Sequence, residues 1–473
     1  MKTEDESQKK EREQDANGEF QLRPMASSGW WLAYLLAIAY AINCWQHQRS
    51  VTFEYKFSTI IAFGLLLQTQ CIQLALRFSH HTLTIVLYLL APMTTSLLVS
   101  FVASSVDSPP QLHIGHYSIT FYVKCPEVSH MEKHQLSFKA LTTNCLESLD
   151  SVSCELYTYK ASSWTSNGNS EMEQLSTILQ IGLLGVACIV VACYFVKYFR
   201  SWAFYILISA VIVPVISFPI DNRPAIFILI EFITKDLQRL CMITLYLGLI
   251  GLTVVAVYWQ MNRMEQSNTR TRKIFHILIV FVFLPGLIFQ CTFLFVASGM
   301  ALALLIVLET MRVIKLSPFH QVLEEAVKSF IDEKDAGGIA LTPIYLLVGC
   351  SLPIWIHPSP CDLTDSAGFE LIPLLAGVIS VGIGDTAASI IGSKFGRFKW
   401  PRCTKTIEGT IAGIVCQAAV LPILIHFGLV RHNSVLVIRY LSAITVSSLV
   451  ETYTNQVDNL VLPLVTYILL SLK

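Results

Sequence analysis

Apolar runs long enough to cross a membrane alternate with short polar segments, apart from one long polar stretch at residues 104–174. A transmembrane helix needs about 20 mainly apolar residues, so the pattern predicts an all-α, polytopic membrane protein with about 13 transmembrane helices. The predicted spans are 28–45, 57–76, 82–103, 177–196, 202–219, 239–260, 274–296, 297–314, 339–357, 369–391, 409–428, 433–450 and 459–472. Segment 224–237 carries three charges and suits either an interfacial helix or part of a longer, bent helix.

The composition agrees with a membrane protein. Hydrophobic residues make up 53% of the chain and charged residues 14%, against about 25% charged in soluble domains. The formal net charge is zero, so no global field indicates nucleic acid as a partner. We expect a disordered cytosolic tail at 1–24, a multi-span membrane region at 25–260 and a catalytic membrane region at 261–473.

Basic residues predict the orientation. They are concentrated in the loops at 262–273 and 393–407, and lysine and arginine favour the cytosolic side. Thirteen spans that start from a cytosolic N-terminus place both loops in the cytosol and the 104–174 loop in the lumen.

The thirteen cysteines mostly occur singly within apolar runs and are expected to be inert. Cys125, Cys145 and Cys154 share the polar loop at 104–174. A disulfide can form among them if the loop faces an oxidising lumen, and three free thiols are the alternative.

The segment 382–413 contains the main candidate chemistry. Asp385, Ala388, Gly392 and Gly396 fall on one helical stripe. Such a stripe suits close helix packing or the close approach of a ligand. A carboxylate within an apolar span is costly, which favours the ligand. Five basic residues follow: Lys394, Arg397, Lys399, Arg402 and Lys405.

These residue types suit a phosphorylated ligand with a divalent metal. Asp385 is a candidate metal ligand, because magnesium takes one or two carboxylates together with substrate phosphates. Basic side chains neutralise phosphate charge. Glu408, Gly409 and Thr410 begin the next span, where backbone N–H groups can bind phosphate.

Three further patches lie at predicted cytosolic span ends. Arg272, Lys273 and His276 begin one span and suit phosphate binding or a membrane anchor. Asp335 precedes two glycines and suits a metal site or a solvated loop. Glu451 and Asp458 lie seven residues apart in an amide-rich segment without lysine or arginine, which suggests a metal site or hydrogen bonds to a nucleotide.

These motifs together resemble the dolichol kinase family of CTP-dependent polyprenol kinases in the endoplasmic reticulum. The matching pattern consists of Gly384, Asp385, Ala388, Gly392 and Gly396, followed by Lys405, Thr406, Glu408 and Gly409, with Arg272, Lys273, His276, Asp458 and Asn459 also in agreement. The resemblance covers roughly residues 270–473. Phytol kinases and phosphatidate cytidylyltransferases are similar over parts of this region.

The resemblance implies transfer of the γ-phosphoryl group of CTP to dolichol at the cytosolic face. It implies a divalent metal ion, Mg²⁺ or Ca²⁺, and no nucleic acid. The implied catalytic residues are Asp385, Lys405, Glu408, His276 and Asp335. The implied nucleotide contacts are Gly384, Gly392, Lys394, Gly396, Arg397, Arg402, Thr406, Gly409, Arg272, Lys273 and Asn459. The implied metal ligands are Asp385, Glu408 and Asp458.

Two alternatives remain open from the residues. A phytol kinase or cytidylyltransferase would use related chemistry, and a cytidylyltransferase would release pyrophosphate rather than CDP. A transporter would also have many spans and glycine-interrupted helices. However, a transporter site is expected near the bilayer midplane, whereas the polar patches here lie at span ends.

Overall fold

The computed structural model describes residues 30–47, 53–77, 112–114, 117–119, 167–220, 222–262, 269–328, 339–362, 364–401, 405–453 and 458–472. The helices are α1 Trp30–Gln46, α2 Phe53–Arg77, α3 Asn167–Phe195, α4 Ala203–Ser217, α5 Ala225–Thr234, α6 Leu237–Asn262, α7 Thr269–Phe289, α8 Cys291–Val313, α9 His320–Lys328, α10 Thr342–Ile356, α11 Leu371–Leu374, α12 Thr386–Phe395, α13 Ile407–His426, α14 Ser434–Tyr453 and α15 Asp458–Ser471. Short 3₁₀ helices occupy Lys197–Arg200 and Gly368–Glu370, and a π-helical segment occupies Val378–Asp385.

These helices confirm an all-α, polytopic membrane protein. Five described helices are long and apolar enough to cross a membrane, and a bent pair, Gly368–Leu374 with Val378–Phe395, makes a sixth candidate. Six shorter apolar helices accompany them. The predicted span at 82–103 lies outside the described residues.

Strands are confined to two small hairpins in the described chain. Strands β1 (Leu112–Ile114) and β2 (Tyr117–Ile119) pair antiparallel within the long polar stretch. Strands β3 (Pro219–Ile220) and β4 (Arg223–Pro224) form a tight turn before α5. The segment that the sequence left unassigned is therefore a short separate helix, α5, and not part of a longer one.

Several predicted boundaries differ from the structure. The chain breaks at Gln290, between α7 and α8, rather than near residue 296. The predicted span 369–391 is bent by 47° and includes the π-helical segment. Gly377, beside this break, allows close packing, because a Cβ there would lie 2.6 Å from the Cα of Cys350 on α10. π-Helical turns are frequent at functional sites.

The main core joins helices from distant parts of the sequence. Fully buried side chains include Leu287 on α7, Ile354 on α10, Tyr440 on α14 and Tyr467 on α15. Ala39 on α1 belongs to the same cluster. The boundary at residue 260 stays a prediction, although helices from both sides of it share this core.

A disulfide joins Cys291, at the start of α8, to Cys361, after α10. Sequence reasoning did not predict this disulfide, because the fold brings together two segments that lie 70 residues apart. Cys125, Cys145 and Cys154 lie outside the described residues. The end of the bundle that carries Cys291 and Cys361 is called the disulfide end below.

Candidate functional site

A cavity of about 1070 Å³ lies between helices α6 to α10 on one side and α12 to α15 on the other. Its lysine, histidine and acidic lining residues are Lys273, His276, Asp385, Lys405, Glu451 and Asp458. These residues come from the beginnings of α7 and α15, the ends of the π-helical segment and α14, and the loop before α13. We call this end of the bundle the charged end.

The charged end and the disulfide end lie at opposite ends of α7. Lys273 is in the first turns of this helix, and Phe289 is its last residue, two positions before Cys291. At 1.5 Å per residue, α7 separates them by roughly 24 Å, which approaches the thickness of the hydrocarbon core. The two ends can therefore face opposite sides of a membrane.

Asp385 is at the centre of the first charged cluster. It is buried, and Lys273 Nζ donates a hydrogen bond to its Oδ2 atom. His276 Nδ1 lies 3.2 Å from the same oxygen, without the alignment of a hydrogen bond. Ser389 Oγ donates to Asp385 Oδ1 over 3.2 Å. Lys273 and His276 reach one carboxylate because residues three apart share a helix face.

Lys405 is at the centre of the second cluster. Its Nζ donates to the backbone oxygen of Glu451 over 2.7 Å, and it lies 3.2 Å from Glu451 Oε1 and 3.5 Å from Asp458 Oδ2. Burial lowers the pKa of Lys405, but the carboxylates of Asp458, Glu451 and Asp385 outweigh this effect and raise the pKa above its ordinary value. The ammonium group therefore stays charged at neutral pH.

The two clusters belong to one electrostatic unit. Asp385 of the first cluster acts on the charge of Lys405 in the second. Two ammonium groups, Lys273 and Lys405, face three carboxylates, so the unit has a formal charge of −1 with these groups ionised and His276 neutral. This arrangement offers both cationic donors for phosphate and oxygen ligands for a hard divalent cation.

The rest of the cavity is largely apolar. Ile250 and Val254 on α6 and Leu304 on α8 line it and are 59%, 61% and 59% exposed. Because these side chains also belong to the outer surface of the bundle, the cavity reaches the apolar exterior. Sequence reasoning did not assign this wall, since its residues look like those of any membrane helix.

The stripe of small residues packs two helices together. A Cβ on Gly409 would lie 2.8 Å from the backbone oxygen of Ala388 and 3.1 Å from the Cα of Gly392. The packing alternative therefore describes much of this stripe, which joins α12 to the start of α13. Ala388, Gly392 and Gly409 also line the cavity, so close packing and proximity to the site coexist.

Glu408 braces the loop before α13. Its Oε1 atom accepts hydrogen bonds from the backbone N–H groups of Arg397 and Phe398, both over 3.0 Å. Glu408 does not line the cavity. Trp400 adds a second brace, with its Nε1 donating to Thr410 Oγ1 over 3.1 Å. Glu408 therefore stabilises the loop before α13 and does not belong to the charged clusters.

The remaining predicted site residues separate into three groups. Thr406 and Asn459 line the cavity, and Thr406 also accepts the N–H of Gly409 as the cap of α13. Lys394 and Arg397 are exposed and do not line it. The other residues are placed as follows: Gly384 packs against Gln417 and Gly396 against Thr406, whereas Asp335, Arg402 and the side chain of Arg272 lie outside the described residues.

Ser389 is a site residue that sequence reasoning missed. It lines the cavity and holds Asp385. The signal was available, because Ser389 lies four residues after Asp385 on a predicted helix. Glu451 was recognised only as part of an acidic patch, and its partner Lys405 could not be identified from sequence alone.

Comparisons with known proteins point to the same family that the motifs resemble. A family model for dolichol kinase matches residues 165–347. The chain is 36% identical to dolichol kinase of Mus musculus over 268 residues, which are 55% of this chain and 50% of the relative. It is 36% identical to dolichol kinase of Homo sapiens over 274 residues, 56% of this chain and 51% of the relative.

A plant protein shows the same relationship. Dolichol kinase EVAN of Arabidopsis thaliana is 33% identical over 287 residues, 59% of this chain and 48% of the relative. The chain thus spans about half the length of the curated relatives it matches. No solved structure matches.

The family match also changes the extent of the resemblance. The family match begins at residue 165, whereas the motifs indicated a resemblance over residues 270–473. From the sequence, the first half was expected to be similar only in having many spans. The matched range includes α6, α7 and α8, which form walls of the cavity. The comparisons confirm that this chain resembles dolichol kinases, as its motifs indicate.

Proposed function

We propose that the protein is a CTP-dependent dolichol kinase that transfers the γ-phosphoryl group of CTP to the hydroxyl of dolichol, giving dolichyl phosphate and CDP. The observation that carries this proposal is one cavity with a charged end and a long apolar wall. A lipid alcohol and a nucleotide have to meet in such a place, because one comes from the bilayer and the other from water.

The charged end suits the phosphates. Lys405 and Lys273 present ammonium groups, and phosphoryl transfer depends mainly on positioning and on stabilising negative charge. Both ammonium groups are held by carboxylates in this structure, so phosphate binding would compete with or extend those ion pairs. The proposed nucleotide contacts also include Thr406 and Asn459, which line the same cavity.

Asp385, Glu451 and Asp458 are the carboxylates that would hold a divalent cation. Oxygen ligands of this kind suit Mg²⁺ or Ca²⁺, and three carboxyl groups face only two ammonium groups here. When bound, such an ion neutralises charge on the transferred phosphoryl group. Asp385 and Asp458 therefore remain proposed metal ligands. Glu451 replaces Glu408 as the third proposed ligand.

The hydroxyl oxygen of dolichol forms the new bond to the γ-phosphorus, and the bond from phosphorus to the bridging oxygen of CDP breaks. The hydroxyl proton has to leave, and His276 and Glu451 line the cavity as acceptors. The apolar wall accommodates the first isoprenoid units. The cavity, at about 1070 Å³, exceeds the 300–1,000 Å³ typical of small-molecule sites.

The proposed membrane arrangement is an endoplasmic reticulum protein with about 13 spans, a lumenal loop at 104–174 and a cytosolic charged end. The Cys291–Cys361 disulfide supports this orientation, because disulfides persist in oxidising compartments such as the lumen. It lies at the end opposite the site, where the lumenal loops are expected.

The test uses membranes that contain this chain, dolichol and CTP labelled at the γ-phosphate. We expect label in an organic-soluble, acid-stable phospholipid, and its loss with EDTA. A variant of exposed Glu231, Glu231→Gln, is the matched control for carboxylate substitution and should keep full activity. Labelled pyrophosphate without labelled lipid would indicate a cytidylyltransferase and would overturn the kinase proposal.

A further inference from the structure

Three potential metal ligands meet at the disulfide end, far from the proposed phosphoryl-transfer site. They are His47, just after α1, His357, just after α10, and Glu370, at the end of the 3₁₀ helix before α11. One ligand atom from each residue lies within 4.8 Å of the others. We propose that His47, His357 and Glu370 form a binding site for a transition-metal cation of the Zn²⁺ class.

The framework around the three side chains is fixed by hydrogen bonds. Asn43 is fully buried one helical turn before His47, and its Nδ2 donates to the backbone oxygen of Ile356 over 3.0 Å. Tyr467 donates to Asn43 Oδ1 over 3.1 Å, and Tyr55 also donates to the oxygen of Ile356. Because Ile356 precedes His357, this network holds the ends of α1 and α10 side by side.

The ligands are also close to one another and partly shielded. The imidazole rings of His47 and His357 lie edge to face, with centroids 5.1 Å apart. His357 is buried, and its Nε2 lies 3.9 Å from Glu370 Oε2. Ligand atoms on tetrahedral zinc lie roughly 3.4 Å apart, given metal–ligand distances near 2.1 Å. The side chains of His47 and Glu370 are only half-buried. Their rotation would shorten the distances between the ligand atoms to this value.

Metal binding requires one change at His357. Its Nδ1 atom accepts the N–H of Ser359 over 3.3 Å, which leaves the proton of the neutral ring on Nε2, facing Glu370. A cation binds to Nε2 through the lone pair of that nitrogen. The ring proton therefore has to move from Nε2 to Nδ1. The long contact to Ser359 therefore has to open when the ion binds.

The chemistry of the ligands separates this site from the one at the charged end. Imidazole nitrogens favour zinc, copper or nickel, whereas carboxylate oxygens favour magnesium or calcium. Two neutral imidazoles and one carboxylate leave a tetrahedral ion one position for water. Such an ion would tie α1 to α10 and to the segment before α11, and so strengthen the disulfide end.

The experiment measures zinc bound by the purified full-length chain after chelator treatment, reloading with Zn²⁺ and desalting. We expect about one zinc per chain, and a rise in the unfolding temperature with Zn²⁺. His357→Ala and Glu370→Gln should each lose both effects. His432→Ala, which changes an exposed histidine in the loop between α13 and α14, is the matched control and should retain them.

Substitution of Asp385 separates this inference from the proposed function. Asp385→Asn should keep zinc at the disulfide end, since its carboxylate belongs to the other end of the bundle. The His47→Gln variant is a milder change, in case His357→Ala fails to fold, and it should also lose zinc. Equal zinc content in the wild type and in the folded His47, His357 and Glu370 variants would overturn the proposal, whatever the kinase activity.

Discussion

The two ends of the helix bundle hold polar groups in different ways. At the charged end, Lys273 and Lys405 pair with carboxylates that line an open cavity. At the disulfide end, Arg239 is buried against Phe232, and its Nε donates to Gln290 Oε1 over 3.0 Å. Asp365, 3.4 Å from Arg239, also caps α8 by accepting the N–H of Thr292 over 2.7 Å.

This difference assigns the reaction to the charged end and a stabilising role to the disulfide end. Ion pairs beside a cavity can exchange a protein partner for a ligand, so they suit a reaction site. A buried network that is closed by a disulfide has no such freedom, and it fixes the positions of helix ends. The following substitutions test whether activity depends on one end and stability on the other.

Asp385→Asn should give the largest effect, a loss of at least about 100-fold in kcat/KM for CTP, as for removal of a group that stabilises transition-state charge. It also leaves Lys273 buried without its counter-charge, which costs stability. The double variant Lys273→Met with Asp385→Asn removes both charges and should regain stability without regaining activity. Initial rates and thermal unfolding measure the two effects, and an active Asp385→Asn enzyme would contradict the site assignment.

Loss of the disulfide should act on stability alone. The double variant Cys291→Ser with Cys361→Ser opens a loop of 70 residues, and we expect the free energy of unfolding to fall by roughly 2–4 kcal/mol. The kcat of the remaining folded protein should not change. Thermal unfolding together with rates per folded molecule gives the comparison. A matched change of exposed Cys188 and Cys241 to serine should leave both quantities unaltered.

A bulky residue in the apolar wall should affect the lipid substrate more than the nucleotide. Ala301 lines the cavity on α8, and Ala301→Phe reduces the space for isoprenoid units. We expect KM for dolichol to rise about 10-fold, which is about 1.4 kcal/mol and lies at the lower end of the range for a misfit in an apolar pocket, while KM for CTP stays constant. An equal rise in both KM values would place the lipid elsewhere.

Titration of Lys405 should give the smallest effect near neutral pH. Its pKa is raised above the ordinary value, so its ion pairs stabilise the folded state below about pH 10.5 and lose this effect as the pH rises through the folded-state pKa. The wild type should therefore unfold at a higher temperature than Lys405→Met throughout the range from about pH 6 to 9. A difference that vanished near pH 8 would contradict the paired, charged lysine; exposed Lys399→Met is the control.

Much of the fold followed from local patterns. Spans near 409–428 and 433–450 correspond to α13 and α14 with ends shifted by one to three residues, because hydropathy is a local property. The break at Gln290 and the π-helical segment were not predicted. Both depend on packing against other helices, and an apolar run gives no signal of where its helix bends.

The candidate site was predicted in part. Asp385, Lys405, His276 and Lys273 all line one cavity, as their shared position at span ends suggested. Glu408 was expected beside them, yet it accepts backbone hydrogen bonds in its own loop. A carboxylate at a helix start can serve either purpose, and only the path of the preceding loop distinguishes them.

The sequence by itself determined that the chain crosses a membrane many times, that its charges gather at span ends and that its motifs resemble those of dolichol kinases. Tertiary structure decided which charges meet. Lys273 and Asp385 are 112 residues apart, and Lys405 and Glu451 are 46 apart. The same holds for Cys291 with Cys361 and for His47 with His357. Local hydropathy places a helix in the membrane, but the partner of a polar side chain depends on which helices pack together.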